Sequence, residues 1–347
     1  MRNMDKSFKG YAWQGEIGEG AFASVSLWMG MKDKRLYAAK SMHFGANRRL
    51  KWEAENEIEI MKDLRRHPYI VSLCDVIREQ ESTTLMLEYV SNTCYLNGIA
   101  KWANFTETDA QVSMKQLLQA INYCHRHKVI HRDLSPLNIL WVQRPTFMKP
   151  DVSPWLKLID FNLARRVSDG KSIIECDPLG TDLFMSPESL KDKCQIGLSN
   201  DVWSLGVLLF FTLVGYPPFW CDNYSHLLKN IEEGSYCMPK RYWSSVSSEA
   251  QDLVKEMLIV KPSRRITAAD ALKHQWFRKN LSDDSKMKTE LSIVQSRITV
   301  HLNRTAPSNR QINNTSRVFP RLSTRKAHVP DKELDMLALQ IKENNNI

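Results

Sequence analysis

An ordered series of polar motifs between residues 131 and 188 constrains the fold of this chain more than any other feature. The series reads His131-Arg-Asp133-Leu-Ser-Pro-Leu-Asn138, Asp160-Phe161-Asn162, Gly180-Thr181 and Ser186-Pro187-Glu188. The first two motifs offer carboxylate and amide oxygens, which are the ligands that hard cations such as Mg²⁺ prefer. A glycine-rich turn and a lysine in a predicted strand precede the series, so we expect distant segments to meet at one site.

The glycine-rich turn reads Gly18-Glu-Gly20-Ala-Phe-Ala23-Ser-Val25. Phosphate groups bind to such turns because larger side chains would block their approach to main-chain N–H groups. An isolated turn of this kind is more often structural, and here alanine stands at the third glycine position. The motifs downstream favour phosphate binding, for which the candidate contacts are Gly18, Glu19, Gly20, Ala21, Phe22, Ala23 and Val25.

Lys40 ends the apolar run Tyr37-Ala-Ala-Lys40, and Glu57 lies in the predicted helix that follows. The helical period over residues 52–66 places Glu57 in the middle of the apolar, inward face. Either residue alone could be a surface charge, but apolar neighbours disfavour this alternative, and a buried lysine without a partner is unstable. We therefore expect Lys40 and Glu57 to pair, with the lysine also able to reach phosphates.

The hydrophobic periodicity changes along the chain, which predicts an α+β fold. Residues 23–27 and 36–39 alternate as strands of an antiparallel sheet, whereas residues 109–127 and 201–214 show helical periods. The composition then shifts to Asn, Ser, Thr and Arg after Phe277, which marks a domain boundary. An insertion at residues 143–154 contains three prolines and is predicted to be a loop.

Bulk properties exclude several classes of protein. The net charge is +9, but residues 278–347 carry 13 Lys and Arg against 7 Asp and Glu, so +6 belongs to the tail and no nucleic-acid partner is expected. Seven cysteines without a C-x-x-C pair indicate neither disulfides nor zinc, which fits an intracellular, cytoplasmic protein and is also compatible with a nuclear one. The longest apolar run, residues 205–214, is half of a membrane span and predicts a buried helix instead.

Taken in order, these motifs resemble those of the eukaryotic Ser/Thr protein kinases over roughly residues 11–277. Asp201-Val-Trp-Ser-Leu-Gly206 and Arg265-Ile-Thr267 complete the order, and Gly215-Tyr-Pro-Pro-Phe219 is similar to the calmodulin-dependent kinase group. The resemblance implies a bilobal protein kinase fold, with a small antiparallel-sheet N-lobe containing one helix and a larger, mostly helical C-lobe. The expected divisions are an N-terminal extension at 1–10, an N-lobe at 11–90, a C-lobe at 91–277 and a basic, mostly disordered tail at 278–347.

The resemblance also implies a reaction, the transfer of the γ-phosphate of Mg-ATP to a Ser or Thr hydroxyl of a protein substrate. It makes Asp133 the catalytic base, and Asn138 and Asp160 the Mg²⁺ ligands. It adds Ala38, Glu88 and Val90 to Lys40 and the glycine turn as ATP-binding residues. Thr181 argues for Ser/Thr over Tyr substrates, and Glu188 with Arg265 matches a structural ion pair.

The chain departs from the family's pattern at three places. Ser135 replaces the usual lysine two residues after the catalytic aspartate, and loss of that cation is expected to slow catalysis about a hundred- to a thousandfold. Asn162 replaces a glycine, but asparagine tolerates left-handed backbone angles better than other non-glycine residues, so we expect the turn still to form. Cys94, Leu137 and Phe211 replace acidic residues, so preference for arginine in the substrate is not inherited. A pseudokinase, which binds nucleotide or acts as a scaffold, is therefore the alternative hypothesis.

Two further segments leave alternatives open. Asp177 lies where many relatives carry a phosphorylatable threonine, and its carboxylate either pairs with Arg132 or touches nothing. In the tail, Leu291, Val294, Ile298 and Leu302 are spaced for a basic amphipathic helix that would bind calmodulin or dock on the catalytic lobe. A disordered connector is the other interpretation of the tail.

Overall fold

A computed structural model describes residues 7–19, 23–91, 93–101, 105–142, 155–168, 171–175, 177, 179–191, 194–221 and 223–278. The predictions for residues 1–6, for Gly20, Ala21 and Phe22, for the insertion at 143–154 and for the tail from 279 onward lie outside these ranges. The helices within them are all too short or too polar to cross a membrane.

A six-stranded antiparallel sheet forms the N-terminal part. Its strands are β1 (Ser7–Phe8), β2 (Tyr11–Glu19), β3 (Ala23–Gly30), β4 (Leu36–His43), β5 (Leu73–Arg78) and β6 (Ser82–Glu88), in the order β1-β2-β3-β4-β6-β5. The predicted antiparallel sheet is confirmed. The sequence predicts that the domain starts at Tyr11. Because β1 pairs with β2, the sheet begins four residues earlier, at Ser7.

The two faces of this sheet have different roles, which follow from the strand register. Val25 pairs with Lys40, which pairs with Leu85, while the neighbouring Ala39 pairs with Met86. Since directly opposite residues share a face and successive residues alternate, Val25, Lys40 and Leu85 lie on one face. Ala39 and Met86 pack on the other face, in a separate small cluster.

Helix α1 (Arg48–Leu64) is the single helix between β4 and β5. It begins where the side chain of Asn47 accepts hydrogen bonds from the main-chain N–H groups of Arg49 and Leu50, which is an N-cap. The inward face predicted from the sequence is buried and includes Glu57. The helix therefore carries a carboxylate into the interior between the sheet and the rest of the molecule.

The remaining part is mostly helical, with short strand pairs between the helices. It contains α2 (Tyr95–Lys101), α3 (Glu107–Arg126), β7 (Val129–Ile130), β8 (Ile139–Trp141), β9 (Leu156–Leu158), β10 (Arg165–Arg166), β11 (Ile174–Glu175), β12 (Gln195–Ile196), α4 (Ser199–Val214), α5 (Tyr224–Glu233), α6 (Lys240–Trp243), α7 (Ser248–Met257) and α8 (Ala268–Ala271). Strand β7 pairs with β10, β8 with β9, and β11 with β12. The predicted α+β, bilobal kinase architecture is confirmed.

Two helices locate the core of the C-terminal part. Helix α3 begins two residues before the predicted position because Thr106 and Asp109 form a capping box. Helix α4 is buried along almost its whole length, as expected for a helix that is apolar on all sides, so the apolar run at 205–214 is a core helix.

Gly98 in α2 is in contact with the indole ring of Trp141, and this contact gives a stability prediction. The Trp141 ring stacks on Tyr95 with 5.4 Å between centroids, and its Nε1 donates a hydrogen bond of 2.9 Å to the main-chain oxygen of Tyr95. A Cβ atom at position 98 would lie 2.0 Å from Trp141 Nε1. We expect Gly98→Ala to lower the free energy of unfolding by about 1–3 kcal/mol, measured by urea denaturation.

The matched control removes the obstructing ring. Because Trp141→Leu vacates the space that the new methyl group needs, the double variant should be less destabilised than the sum of the two single variants. Additive losses would show that the contact between Gly98 and the indole ring does not limit stability.

Candidate active site

Three charged side chains from separate elements meet between the sheet and the helical part. Lys40 Nζ lies 2.6 and 2.9 Å from the two carboxylate oxygens of Glu57, and 2.7 Å from Asp160 Oδ1. Strand β4 supplies the lysine, helix α1 the glutamate, and the turn after β9 the aspartate. Lys40 is only 8% exposed and Glu57 1%, so the alternative of two surface charges is wrong.

Burial and the mutual charges of the three groups act together on their pKa values. Burial alone would lower the pKa of Lys40, but the carboxylates of Asp160 and Glu57 outweigh it and raise the pKa. Burial raises the pKa of Glu57, whereas the charge of Lys40 holds the pKa of Asp160 below its usual value in spite of burial. The lysine therefore stays charged, and Asp160 stays ionised in a position where a cation could bind.

Asp133 lies in a loop whose main chain is held by a buried aspartate. The carboxylate of Asp201 accepts hydrogen bonds from the main-chain N–H groups of His131 (2.9 Å) and Arg132 (3.0 Å), and from His125 Nε2 (2.9 Å). These bonds outweigh burial and lower the pKa of Asp201. Because Asp201 belongs to core helix α4, the loop that presents Asp133 is hydrogen-bonded to a buried helix.

Both oxygens of the Asp133 carboxylate are oriented by neighbouring side chains. Thr181 Oγ1 donates to Asp133 Oδ1 over 2.8 Å, and Asn138 Nδ2 donates to Asp133 Oδ2 over 2.9 Å. The structure thus brings the predicted base into contact with Asn138 and with the threonine of the Gly180-Thr181 motif. Its carboxylate points to the position at which these two segments meet.

The donor set at Asn138 and Asp160 fits a magnesium ion. Because the amide nitrogen of Asn138 donates a hydrogen bond to Asp133, its amide oxygen faces away from the Asp133 carboxylate. The main-chain N–H of Ile159 donates to the main-chain oxygen of Asn138 over 2.9 Å, which places Asp160 next in sequence beside this loop. An amide oxygen and an ionised carboxylate are ligands that Mg²⁺ accepts, usually together with water and phosphate oxygens.

The predicted nucleotide contacts divide into three groups. Ala23, Val25 and Ala38 lie on the same sheet face as Lys40, and Gly18 pairs with Val25. For Glu19 only the main chain, as the last residue of β2, is described. The Glu88 carboxylate instead accepts hydrogen bonds from Lys157 Nζ and from the main-chain N–H of Ser72, both over 2.7 Å. The candidate nucleotide contacts of Glu88 and of buried Val90 are therefore those of their main chains.

The departures from the family's pattern have visible consequences. Ser135 is 1% exposed, and neither its hydroxyl nor the buried side-chain oxygen of Asn162 has a hydrogen-bond partner among the described residues. The tolerance of asparagine for left-handed angles is not needed at position 162, because the left-handed residue of this turn is Asp160, with φ of 63°. Asparagine therefore fits the turn without backbone strain at position 162.

The structure gives the Asp177 carboxylate a different partner from the one predicted. The carboxylate of Asp177 accepts from Arg49 Nη2 over 2.6 Å, whereas Arg132 Nη2 donates to the main-chain oxygen of Asp177 over 2.7 Å. Neither the proposed carboxylate pair with Arg132 nor the alternative of an isolated side chain is correct. Arg49 was missed because an exposed arginine in the first turn of a helix carries no distinguishing signal in the sequence.

Comparisons with known proteins agree with this geometry. The family model "Protein kinase domain" matches residues 11–277. Calcium/calmodulin-dependent protein kinase type II subunit delta of Oryctolagus cuniculus is 34% identical over 279 residues, covering 80% of this chain and 51% of the relative. The type II alpha chain of Drosophila melanogaster is 37% identical over 262 residues, covering 75% of this chain and 48% of the relative.

The chain spans about half the length of the curated relatives that it matches. The family match covers most of the chain and includes every described residue of the site. The chain belongs to the protein kinase family, as a eukaryotic Ser/Thr-type kinase related to the calmodulin-dependent kinase group.

Proposed function

We propose that this chain is a catalytically active protein Ser/Thr kinase that transfers the γ-phosphate of ATP, with Mg²⁺, to hydroxyl groups of protein substrates. One observation carries the proposal: Lys40 contacts Glu57 and Asp160 at the same time as Asp133 contacts Asn138 and Thr181. Phosphoryl transfer depends mainly on positioning and on electrostatic stabilisation, and this arrangement supplies both.

Each residue has a role that its contacts support. Lys40, held by Glu57, binds the α- and β-phosphates of ATP, while the main chain of Glu88 and Val90 and the sheet face with Val25 and Ala38 bind the rest of the nucleotide. Asn138 and Asp160 hold Mg²⁺, which neutralises phosphate charge when it is bound. Asp133 orients the substrate hydroxyl and accepts its proton, and its bond from Thr181 supports Ser/Thr specificity.

A pseudokinase is the second candidate function, and Ser135 is the observation that favours it. The buried hydroxyl at this position supplies no positive charge, and it makes no hydrogen bond among the described residues. A protein that only binds nucleotide or holds partners together would tolerate this change. A slow kinase would tolerate it as well, because nucleotide binding through Lys40 does not involve position 135.

Radiolabelled ATP distinguishes the two functions. The full chain is incubated with [γ-³²P]ATP, Mg²⁺ and a generic protein substrate, beside Asp133→Asn as a matched variant. Label above the Asp133→Asn background in both autophosphorylation and substrate supports the kinase. Equal background in the two proteins, with ATP still bound, favours the pseudokinase.

Replacement of Ser135 by lysine should increase the rate of the chemical step. A cation beside the transferring phosphoryl group acts mainly in the transition state, so kcat should rise with little change in the KM for ATP. Removal of one preorganised donor costs about 2.7–4 kcal/mol in other enzymes, which corresponds to a factor of about 10²–10³. Steady-state kinetics of Ser135→Lys measure the gain.

Ser135→Met is the control, because it adds similar bulk without charge. An equal gain in the methionine variant, or an unchanged kcat in a folded Ser135→Lys protein, would remove the missing cation as the explanation.

The remaining assignments are part of the same proposal. Protein substrates follow from the family, and calmodulin or another docking partner on the tail rests on the sequence spacing at 291–302 and on the names of the relatives. An intracellular, cytoplasmic location is supported by the free cysteines Cys74, Cys94, Cys124, Cys194, Cys221 and Cys237.

A further inference from the structure

Asp177 accepts hydrogen bonds from two arginines, one in helix α1 and one beside the catalytic aspartate. Its carboxylate accepts from Arg49 in the first turn of α1, and its main-chain oxygen accepts from Arg132, which immediately precedes Asp133. Helix α1 also carries Glu57. A single residue of the activation segment, residues 160–188, therefore connects the helix that holds Lys40 to the loop that presents the base.

Other contacts also join helix α1 to the activation segment. Asn56 Nδ2 in α1 donates to the main-chain oxygen of Ala164 over 2.9 Å, and Arg165 lies 3.8 Å from the Glu53 carboxylate. The ring of Trp52 lies 5.1 Å from the guanidinium carbon of Arg165. The face of α1 towards the activation segment is thus matched by polar and charged partners at several points.

Glu53 aligns the arginine that reaches Asp177. Arg49 Nε donates to Glu53 Oε1 over 3.1 Å, an i,i+4 pair within α1, while its Nη2 is directed to Asp177. The guanidinium group is consequently shared between a carboxylate of its own helix and one of the activation segment. Both charges of the link to Asp177 belong to genetically encoded side chains, and no phosphate group is needed to form it.

We propose that Asp177 is a positioning residue that, through Arg49, holds α1 and hence Glu57 in place against Lys40, so that kinase activity does not require phosphorylation of the activation segment. This inference rests on the proposed kinase function. The side chains of Arg49 and Asp177 are 66% and 62% exposed, so the pair is partly screened by solvent. A two- to fivefold change in kcat/KM is therefore the expected size of the effect, roughly the scale of one exposed ion pair.

A double-mutant cycle on unphosphorylated protein tests the proposal. Protein is coexpressed with a phosphatase, and its lack of phosphate is verified by mass spectrometry before each initial-rate measurement. Asp177→Asn and Arg49→Gln should each lower kcat/KM two- to fivefold, and the double variant should be no slower than Arg49→Gln alone, because both substitutions remove the Arg49–Asp177 contact. Asp177→Glu keeps the charge and should retain most of the activity.

The control variant removes a comparable ion pair that lies on the other side of α1. Arg78 pairs with Glu55 over 2.8 Å and is also solvent-accessible, with side chains 47% and 37% exposed, but it belongs to β5 and not to the activation segment. Arg78→Gln should leave kcat/KM unchanged. A wild-type protein that is inactive until the segment is phosphorylated, or losses that add in the double variant, would overturn the proposal.

Hydrogen exchange provides a readout that does not depend on activity. Amide exchange of residues 48–64 should be faster in Asp177→Asn and Arg49→Gln than in wild type, and Asp177→Glu should restore slow exchange. If no protein in the series transfers phosphate, the kinase proposal fails while exchange still decides the role of Asp177. Unchanged exchange in both single variants would overturn that role.

Discussion

Glu188→Ala is expected to lower the free energy of unfolding by roughly 3–5 kcal/mol, because it leaves a buried guanidinium group without its counter-ion. Arg265 Nη1 and Nη2 lie 2.7 and 2.9 Å from the two oxygens of Glu188, and the arginine side chain is completely buried. For a domain of this size, about 2–4 °C in Tm corresponds to 1 kcal/mol, so Tm should fall by roughly 6–20 °C.

The environment of Arg265 explains why the loss should be large. Its other donors bond to the main-chain oxygens of Ile259, Ser199 and Val260, and its guanidinium carbon lies 4.9 Å from the centroid of the Trp203 ring. These contacts hold the group in place, so it cannot move to solvent when the carboxylate is removed. The Glu188 pair therefore anchors the end of the activation segment to the core.

An exposed ion pair is the control for this experiment. Lys273 pairs with Asp270 over 2.9 Å, but the lysine side chain is 68% exposed. Lys273→Ala should change the stability by less than about 1 kcal/mol, because exposed pairs are solvated whether or not they form. A loss for Glu188→Ala as small as that for Lys273→Ala, in thermal and chemical denaturation, would contradict the assigned role.

The part of the site that could be predicted from the sequence consists of residues whose local pattern demands a partner. Lys40 in an apolar strand and Glu57 on an apolar helix face are each unstable alone in the interior, so their pairing follows from burial. Asp133 and Asn138 are close in sequence, and a short loop brings them together. The fold class could also be predicted, from strand alternation with one helical segment before residue 90 and mostly helical periods after it.

The part that could not be predicted depends on contacts between exposed or distant side chains. Arg49 and Asp177 are 128 residues apart, and nothing in the periodicity of either segment marks them as partners. The ion pair between the Glu88 carboxylate and Lys157, 69 residues away, likewise has no signal in the sequence and depends on the tertiary fold. Similarly, the tertiary fold around this turn, and not the type of residue, determines that the left-handed conformation occurs at Asp160 and not at Asn162.

Asp133→Asn is expected to lower kcat by about 10²–10⁴, the range for loss of a positioned general base. ATP affinity should not change, because the Asp133 carboxylate is hydrogen-bonded to Thr181 and Asn138, whereas Lys40 is bonded to Glu57 and Asp160. Nucleotide binding measured by calorimetry, together with single-turnover rates, separates these two quantities.

Asparagine at this position also alters the neighbouring contacts, and this gives the experiment its sharpest control. The wild-type carboxylate accepts one bond from the Thr181 hydroxyl and one from the Asn138 amide, but an asparagine can accept through only one of its two terminal atoms. If its amide nitrogen faces Asn138, two donors meet, and Asn138 must rotate the oxygen that is proposed to bind Mg²⁺.

The two causes of a lower rate can be separated by magnesium and by Thr181. A rotated Asn138 would raise the Mg²⁺ concentration needed for half-maximal rate, whereas loss of the base alone lowers kcat at every Mg²⁺ concentration. Thr181→Val removes one bond to Asp133 but keeps the carboxylate, so its kcat should lie between wild type and Asp133→Asn. If saturating Mg²⁺ restored the Asp133→Asn rate to the wild-type value, Asp133 would act only by orienting Asn138 and not as the proton acceptor.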